Sequence, residues 1–82
     1  MNKKIRTKGG TVQVVADIRE GRIRDLQFFG DFFGEKDPQE LASQLIGIKF
    51  EKDSISNILK NTNLQKYFNN VSPEEINQLL TP

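Results

Sequence analysis

Few side chains in this 82-residue sequence are suited to chemistry, and their spacing favours structural roles. The chain has no cysteine and no histidine, which removes disulfides, thiolate or imidazole metal sites and the usual near-neutral acid–base group. Glu74-Glu75 fits the start of a helix, and Asp31 fits a turn better than a general base. Lys8-Gly9-Gly10-Thr11 lacks the spacing of a phosphate loop and precedes a strand. We therefore predict no catalytic, cofactor-binding or metal-binding residues in this chain.

The stretch Phe28-Phe29-Gly30-Asp31-Phe32-Phe33-Gly34 is the most unusual part of the sequence, because it concentrates phenylalanine around a Gly-Asp pair. Successive residues of a strand point to opposite faces of a sheet. The adjacent rings therefore cannot all enter one small core from the same side. We expect at least one ring to face a loop core, a partner surface or solvent.

Charge is divided unevenly along the chain, although the net charge is only +1. Residues 1–24 carry seven basic and two acidic side chains (+5), whereas residues 25–82 carry five and nine (−4). The basic part could meet an acidic partner or phosphate, or its residues could simply be solvated strand ends. We expect no nucleic-acid binding, because the phenylalanines do not alternate with Lys and Arg.

No apolar run approaches the roughly 20 residues that span a membrane, and the N-terminus does not resemble a secretory signal. The expected location is therefore the cytoplasm. The length predicts a single small domain over residues 1–82.

The first third of the chain predicts a three-stranded antiparallel meander with two short turns at Gly9-Gly10 and Glu20-Gly21. The predicted strands are Lys4–Lys8, Thr11–Arg19 and Arg22–Phe29. In the third strand Ile23 and Phe29 have the opposite parity to Leu26 and Phe28. This mismatch predicts either a bulge near Arg24 or a strand that is apolar on both faces.

The rest of the chain predicts helices. Asp37-Pro38-Gln39-Glu40 and Ser72-Pro73-Glu74-Glu75 are typical helix starts, and Asp53 is a candidate cap for a helix between them. Strands followed by helices indicate an α+β fold with about three helices packed on one face of the sheet. The other face, with Val15, Ile23 and Phe29, is then either solvated or docked on a partner.

A family resemblance covers nearly the whole chain. It is carried by Gly10…Gly21-Arg22-Ile23…Phe29-Gly30-Asp31-Phe32-Phe33, by Leu41…Leu45-Ile46-Gly47…Phe50, and by Ser72-Pro73-Glu74-Glu75-Ile76…Leu79-Leu80. In this order and spacing the sequence resembles the C-terminal accessory domain of bacterial lipoate–protein ligases. Those ligases use ATP and magnesium to convert lipoate to lipoyl-AMP, and they then transfer the lipoyl group to a lysine of an acceptor protein.

The resemblance implies that this chain is the small lid domain of such a ligase, without catalytic residues of its own. In the family the large N-terminal domain holds the catalytic lysine and most contacts to substrates, so ATP, magnesium and lipoate are expected there. The implied partners are that large domain, in the same chain or a separate subunit, and transiently the lipoyl acceptor domain. The alternative is a free-standing, non-catalytic adaptor of the same fold that binds another protein.

Docking to these partners is predicted for two groups of residues, chosen for the excess of rings and for the charge asymmetry. The candidates are Phe29, Gly30, Asp31, Phe32 and Phe33, together with Arg19, Arg22 and Arg24. For Phe32 and Phe33 the competing interpretation is structural, with both rings closing the end of the core.

Overall fold

The computed structural model describes residues 1–31 and 34–81, which form a three-stranded sheet followed by three α-helices. The strands are β1 (Asn2–Thr7), β2 (Gly10–Arg19) and β3 (Arg22–Gly30). The helices are α1 (Pro38–Leu45), α2 (Lys52–Lys60) and α3 (Pro73–Leu80), with a 3-10 turn at Leu64–Lys66. The strands pair in the order β1-β2-β3, each antiparallel to the next. The predicted α+β meander is thereby confirmed.

Both hairpin turns are two residues long. The first is closed by the pair Thr7 and Gly10, so its turn residues are Lys8 and Gly9, one position earlier than predicted. In the second, Glu20 and Gly21 both have positive φ values of 54° and 72°. Positive φ at both central residues gives a turn whose twist matches the twist of paired strands. The second turn was predicted correctly.

A β-bulge lies in β3 at Arg24, as one of the two sequence alternatives predicted. Ile18 pairs with Ile23 and Asp17 pairs with Asp25, so Arg24 has no partner in β2. One extra residue reverses the side-chain alternation on that strand. Ile23 consequently points into the core, where it is 2% exposed. Its predicted position on the opposite face is wrong for this reason.

The core lies between the sheet and the helices. Its buried members are Val12, Val14, Ala16, Ile23, Leu26, Leu41, Ala42, Leu45, Ile55, Leu59, Leu64, Tyr67, Phe68, Val71, Ile76, Leu79 and Leu80. Phe28 is half-buried and packs edge-to-face on Phe68, with ring centroids 5.2 Å apart.

The helix starts follow the sequence at α1 and α3. The carboxylate of Asp37 accepts the Gln39 N–H at 3.0 Å. At α3 the Ser72 hydroxyl oxygen accepts the Glu75 N–H at 3.1 Å, and Glu75 Oε1 accepts the Ser72 N–H at 2.9 Å. The reciprocal pair satisfies two backbone donors that the helix leaves unpaired.

The predicted start of α2 is wrong. That helix begins at Lys52 and is preceded by Glu51, whose side chain makes no capping hydrogen bond. Asp53 lies inside the first turn. A carboxylate there still favours the helix, because it interacts with the positive end of the helix dipole.

Replacing Ser72 with alanine is expected to lower the free energy of unfolding by about 1 kcal/mol, because the Glu75 N–H loses its acceptor. Urea unfolding followed by circular dichroism measures the change. Ser43→Ala is the control, since Ser43 is exposed within α1 and its hydroxyl donates only to the Gln39 carbonyl one turn earlier. We expect the control to be neutral or slightly stabilising. Equal losses in the two variants would contradict the capping role.

The start of β3 is covered at its free edge by the link after α1. Gly47 N–H donates to the Ile23 carbonyl at 2.7 Å, Ile23 N–H to Ile48 at 3.0 Å, and Phe50 N–H to Gly21 at 2.8 Å. The link Ile48-Lys49-Phe50 therefore caps the edge of the sheet, with Lys49 bridged to Arg22.

The helices lie on one face of the sheet. Helix α1 packs on β3, and α3 packs on β1 and β2. Lys3 Nζ also donates to the Thr81 carbonyl at 2.6 Å, which joins the first strand to the end of α3. Among the described residues, no helix is long and apolar enough to cross a membrane.

Candidate functional site

The candidate site is the sheet face that points away from the helices, called here the outer face. Side chains alternate along each strand, so every second residue belongs to it, and the bulge in β3 adds Arg24. Its members are exposed or half-buried. They are Asn2, Lys4 and Arg6 of β1; Thr11, Gln13, Val15, Asp17 and Arg19 of β2; and Arg22, Arg24, Asp25, Gln27 and Phe29 of β3.

The structure separates the residues predicted to dock. Arg19 pairs with Arg22 beside the second turn, whereas Gly30 pairs with Val12 near the opposite end of the sheet. Val12 and Arg19 are seven positions apart along β2, which is about 23 Å at the rise of a strand. The basic hairpin and the Gly30-Asp31 segment therefore form two different surfaces. Phe32 and Phe33 lie outside the described residues.

The hairpin end is less basic than its three arginines suggest. Arg19 Nε lies 3.1 Å from Asp17 Oδ2, and the Arg22 guanidinium donates to the Gly47 carbonyl at 3.0 Å. Asp25 lies directly opposite Asp17 on the neighbouring strand. Two carboxylates thus offset much of the local charge, although an exposed ion pair contributes little to stability.

A second cluster on the outer face is more strongly positive and more apolar. We call it the Phe29 patch, formed by Lys4, Arg6, Gln13, Val15 and Phe29. Phe29 lies opposite Gln13, which lies opposite Lys4, so the three form a row across the sheet. Phe29 is 48% exposed and Val15 38% exposed. The prediction that at least one ring of the phenylalanine stretch lies outside the core is confirmed by Phe29.

The residues predicted to dock did not include Lys4, Arg6 or Gln13. These three residues alternate with the core-facing residues of β1 and β2. The alternation shows which face of the sheet they occupy, but it does not show which side chains are neighbours on adjacent strands, because that depends on the register. In the structure Gln13 pairs with Lys4, and the Gln13 amide also donates to Asn2 Oδ1 at 2.8 Å.

The end of the sheet near Asp31 is a second candidate surface, called here the glycine end and formed by Gly9, Gly10, Gly30, Asp31 and Gly34. Asp31 is exposed, and its N–H donates to the Thr11 carbonyl at 3.0 Å. A Cβ atom on Gly10 would lie 2.8 Å from the Asp31 Cβ, and φ at Gly10 is +119°. Glycine at this position allows the first turn to lie against the Asp31 backbone.

The chain just beyond the glycine end is also anchored. Lys36 N–H donates to the Lys66 carbonyl at 2.8 Å, and Lys36 Nζ lies 5.8 Å from the centre of the Tyr67 ring. Both flanks of the Phe32-Phe33 pair are therefore held by backbone hydrogen bonds, one to β2 and one to the 3-10 turn. Fixed flanks reduce the entropy that a binding loop loses on docking.

The described residues contain no group of three or more His, Cys, Asp or Glu side chains placed to hold a metal ion. The outer face and the glycine end instead combine the exposed Phe29 ring, exposed charges and hydrogen-bonded backbone. These features are typical of a surface that contacts another protein.

Comparison with known proteins gives the same family as the sequence motifs. A family model described as the bacterial lipoate protein ligase C-terminus matches residues 1–80. The chain is 32% identical over 80 residues to the lipoate-protein ligase LplJ of Bacillus subtilis, covering 98% of this chain and 24% of that protein. It is 37% identical over 75 residues to a lipoate–protein ligase of Streptococcus pyogenes, covering 92% of this chain and 22% of that protein. The chain thus spans about a quarter of the length of these relatives.

A solved structure is similar over the whole chain. It is a structure of a bipartite lipoate protein ligase and its E2 lipoyl domain from Thermoplasma acidophilum. The TM-score is 0.83 at 27% identity, and the match covers 100% of this chain and 94% of that chain. Motifs, fold and relatives agree, and the chain belongs to the family of lipoate–protein ligase C-terminal domains.

Proposed function

We propose that this domain is the accessory lid of a lipoate–protein ligase. In this role it supports ATP-dependent activation of lipoate to lipoyl-AMP on a catalytic large domain, and then transfer of the lipoyl group to an acceptor lysine. The observation that carries the proposal is the match of the full chain, at a TM-score of 0.83, to nearly all of one chain in a structure of a bipartite lipoate protein ligase and its E2 lipoyl domain. A body of this size and fold therefore occurs as a distinct chain in a ligase structure.

A lid without catalytic groups can still accelerate adenylation. The lipoate carboxylate and the α-phosphate must be held in line and shielded from water, and closing a site achieves both. The lid must also open again so that the acceptor lysine can enter. These requirements call for a rigid body that binds the large domain reversibly.

The glycine end is our proposed contact with the large domain. It presents Gly30 and Asp31 on a fixed backbone, and Phe32 and Phe33 belong to the same predicted docking segment. Exposed backbone without bulky side chains allows close approach by another protein. Asp31 then adds one charge that a complementary group can recognise.

The test is pyrophosphate release from lipoate, ATP and magnesium by the cognate large domain, with and without this chain. We expect the chain to raise the rate by about tenfold or more, which corresponds to about 1.4 kcal/mol of activation free energy. An unchanged rate with no complex formed would contradict the lid role, and the adaptor alternative would then be preferred.

Asp31→Arg is expected to abolish most of this stimulation while leaving the fold intact, because the residue is exposed. Glu20→Arg is the matched control: it makes the same charge change at an exposed position in the turn at the other end of the sheet. If both variants stimulate like the wild type, the glycine end does not contact the large domain. A Phe33→Ala variant that loses stability but docks normally would assign that ring a structural role only.

A further inference from the structure

Two cations of the Phe29 patch are not engaged within the domain. Lys4 and Arg6 are exposed neighbours on one face of β1, and neither makes an ion pair or side-chain hydrogen bond with the described residues. The acids Asp17 and Asp25 lie beyond Val15 toward the other end of the sheet, and Asp17 is already paired with Arg19. Asp31 is the nearer acid, since its N–H donates to Thr11, the residue opposite Arg6, and it offsets part of the charge at one edge of the patch. Unpaired cations beside each other create a positive potential that attracts an acidic surface.

An apolar contact lies beside this charge. Val15 and Phe29 are diagonal neighbours on adjacent strands, since Val15 pairs with Gln27 and Phe29 pairs with Gln13. Diagonal side chains of this kind are about 7 Å apart and form one continuous surface. An exposed ring separated from Lys4 only by Gln13 has the composition of a small interface with an apolar centre and a charged rim.

The available area favours a transient contact over a permanent one. Strand β2 has ten residues, and three strands lie side by side. The outer face therefore offers fewer side chains than the roughly 20–30 residues that each partner contributes to a stable complex of standard size. A surface this small suits a partner that must leave after each reaction cycle.

We infer that the Phe29 patch binds an acidic surface of the lipoyl acceptor domain during the transfer step. The inference rests on the proposed function, in which the acceptor is the partner that arrives and leaves at every turnover. Lys4 and Arg6 contribute to the rate of encounter, and Phe29 with Val15 supplies the short-range contact. The patch adjoins the glycine end, because Phe29 directly precedes Gly30, so the acceptor binds beside the surface that we propose faces the large domain.

The experiment uses the assembled ligase, with two separate readouts. Pyrophosphate release without acceptor reports adenylation, and lipoyl transfer at varied concentrations of the cognate E2 lipoyl domain reports KM for the acceptor. For Lys4→Glu/Arg6→Glu we expect an acceptor KM about tenfold higher, with kcat at saturation and pyrophosphate release within about twofold of wild type. The wild-type KM should rise between 50 and 200 mM NaCl, and that of the variant should rise less.

Two further variants separate charge from folding. Lys52→Glu/Lys60→Glu makes the same charge change on exposed residues of α2, in the helical layer, and should leave acceptor KM unchanged. Lys4→Gln/Arg6→Gln should give an intermediate KM without introducing repulsion.

An unchanged KM in the charge-reversal variant overturns the inference. So does a parallel loss of adenylation, because the outer face would then contact the large domain. If the wild-type chain does not raise the rate of pyrophosphate release, the proposed function is contradicted. This inference, which rests on it, is then contradicted as well. A normal adenylation rate with an unaltered acceptor KM is the distinct signature of failure of this inference alone.

Discussion

Phe68→Ala is expected to lower the free energy of unfolding by about 3–5 kcal/mol. Phe68 is fully buried, and its ring packs edge-to-face on Phe28. Truncation removes the burial of a large ring and leaves a cavity that the surrounding side chains fill only in part. Small domains are stabilised by only about 5–15 kcal/mol, so this loss is a large share of the total. Urea unfolding followed by circular dichroism measures it directly.

Phe29→Ala is the matched control for that prediction, since it deletes the same side chain from the outer face. Phe29 is 48% exposed, and we expect a change of less than about 1 kcal/mol. The control variant should instead raise the acceptor KM if the Phe29 patch binds the acceptor. Comparable losses of stability in the two variants would show that Phe29 is structural and would contradict its assignment to a docking surface.

Gly34→Ala is expected to be destabilising by about 3 kcal/mol, the upper part of the range for overpacking. An added Cβ would collide with the Lys66 carbonyl oxygen, and it would lie 2.6 Å from the Tyr67 carbonyl carbon and 2.7 Å from its oxygen. These are backbone atoms of the 3-10 turn region, which cannot rotate away as a side chain would. We expect the hydrogen bond from Lys36 N–H to the Lys66 carbonyl to be lost with the shift.

Gly21→Ala distinguishes crowding from backbone strain. At Gly21 the φ is +72°, and an added Cβ would meet nothing within 4 Å. The Gly21→Ala substitution therefore lowers the free energy of unfolding only by the cost of placing alanine in a left-handed conformation, about 1–2 kcal/mol. Thermal or urea unfolding of both variants gives the comparison. A Gly34→Ala variant no less stable than Gly21→Ala would mean that the loop after Asp31 moves freely away from the 3-10 turn.

Local signals were enough to predict the fold class. Strict alternation in β2 identified a face, and the proline-containing caps at Asp37 and Ser72 located two helix starts to the residue. These features depend on neighbours within four positions, so they can be read without tertiary structure. The predicted start of α2 was wrong because an aspartate is favourable both as a helix cap and within the first turn. Asp53 occupies the first turn.

The candidate site was only partly predictable, because its composition depends on pairing between strands. The sequence indicated an excess of positive charge before residue 25 and singled out Phe29. It did not show that Lys4 lies across Gln13 from Phe29, since a shift of one residue in register would place different side chains together. The sequence also overestimated the positive charge at the hairpin end, because the carboxylates of Asp17 and Asp25 lie at the same end of the sheet as the arginines.

The contact between Lys3 and Thr81 has a consequence for the order in which the domain folds. Strands β1 to β3 are joined by two-residue turns, whereas α3 reaches β1 only by closing a loop across almost the entire chain. The entropy lost on loop closure grows by about 0.6 kcal/mol with each doubling of length. The hairpins can therefore assemble early, and docking of α3 completes the structure. During synthesis from the N-terminus the sheet emerges before α3, so the part of β1 and β2 that this helix covers stays exposed until the last helix has emerged.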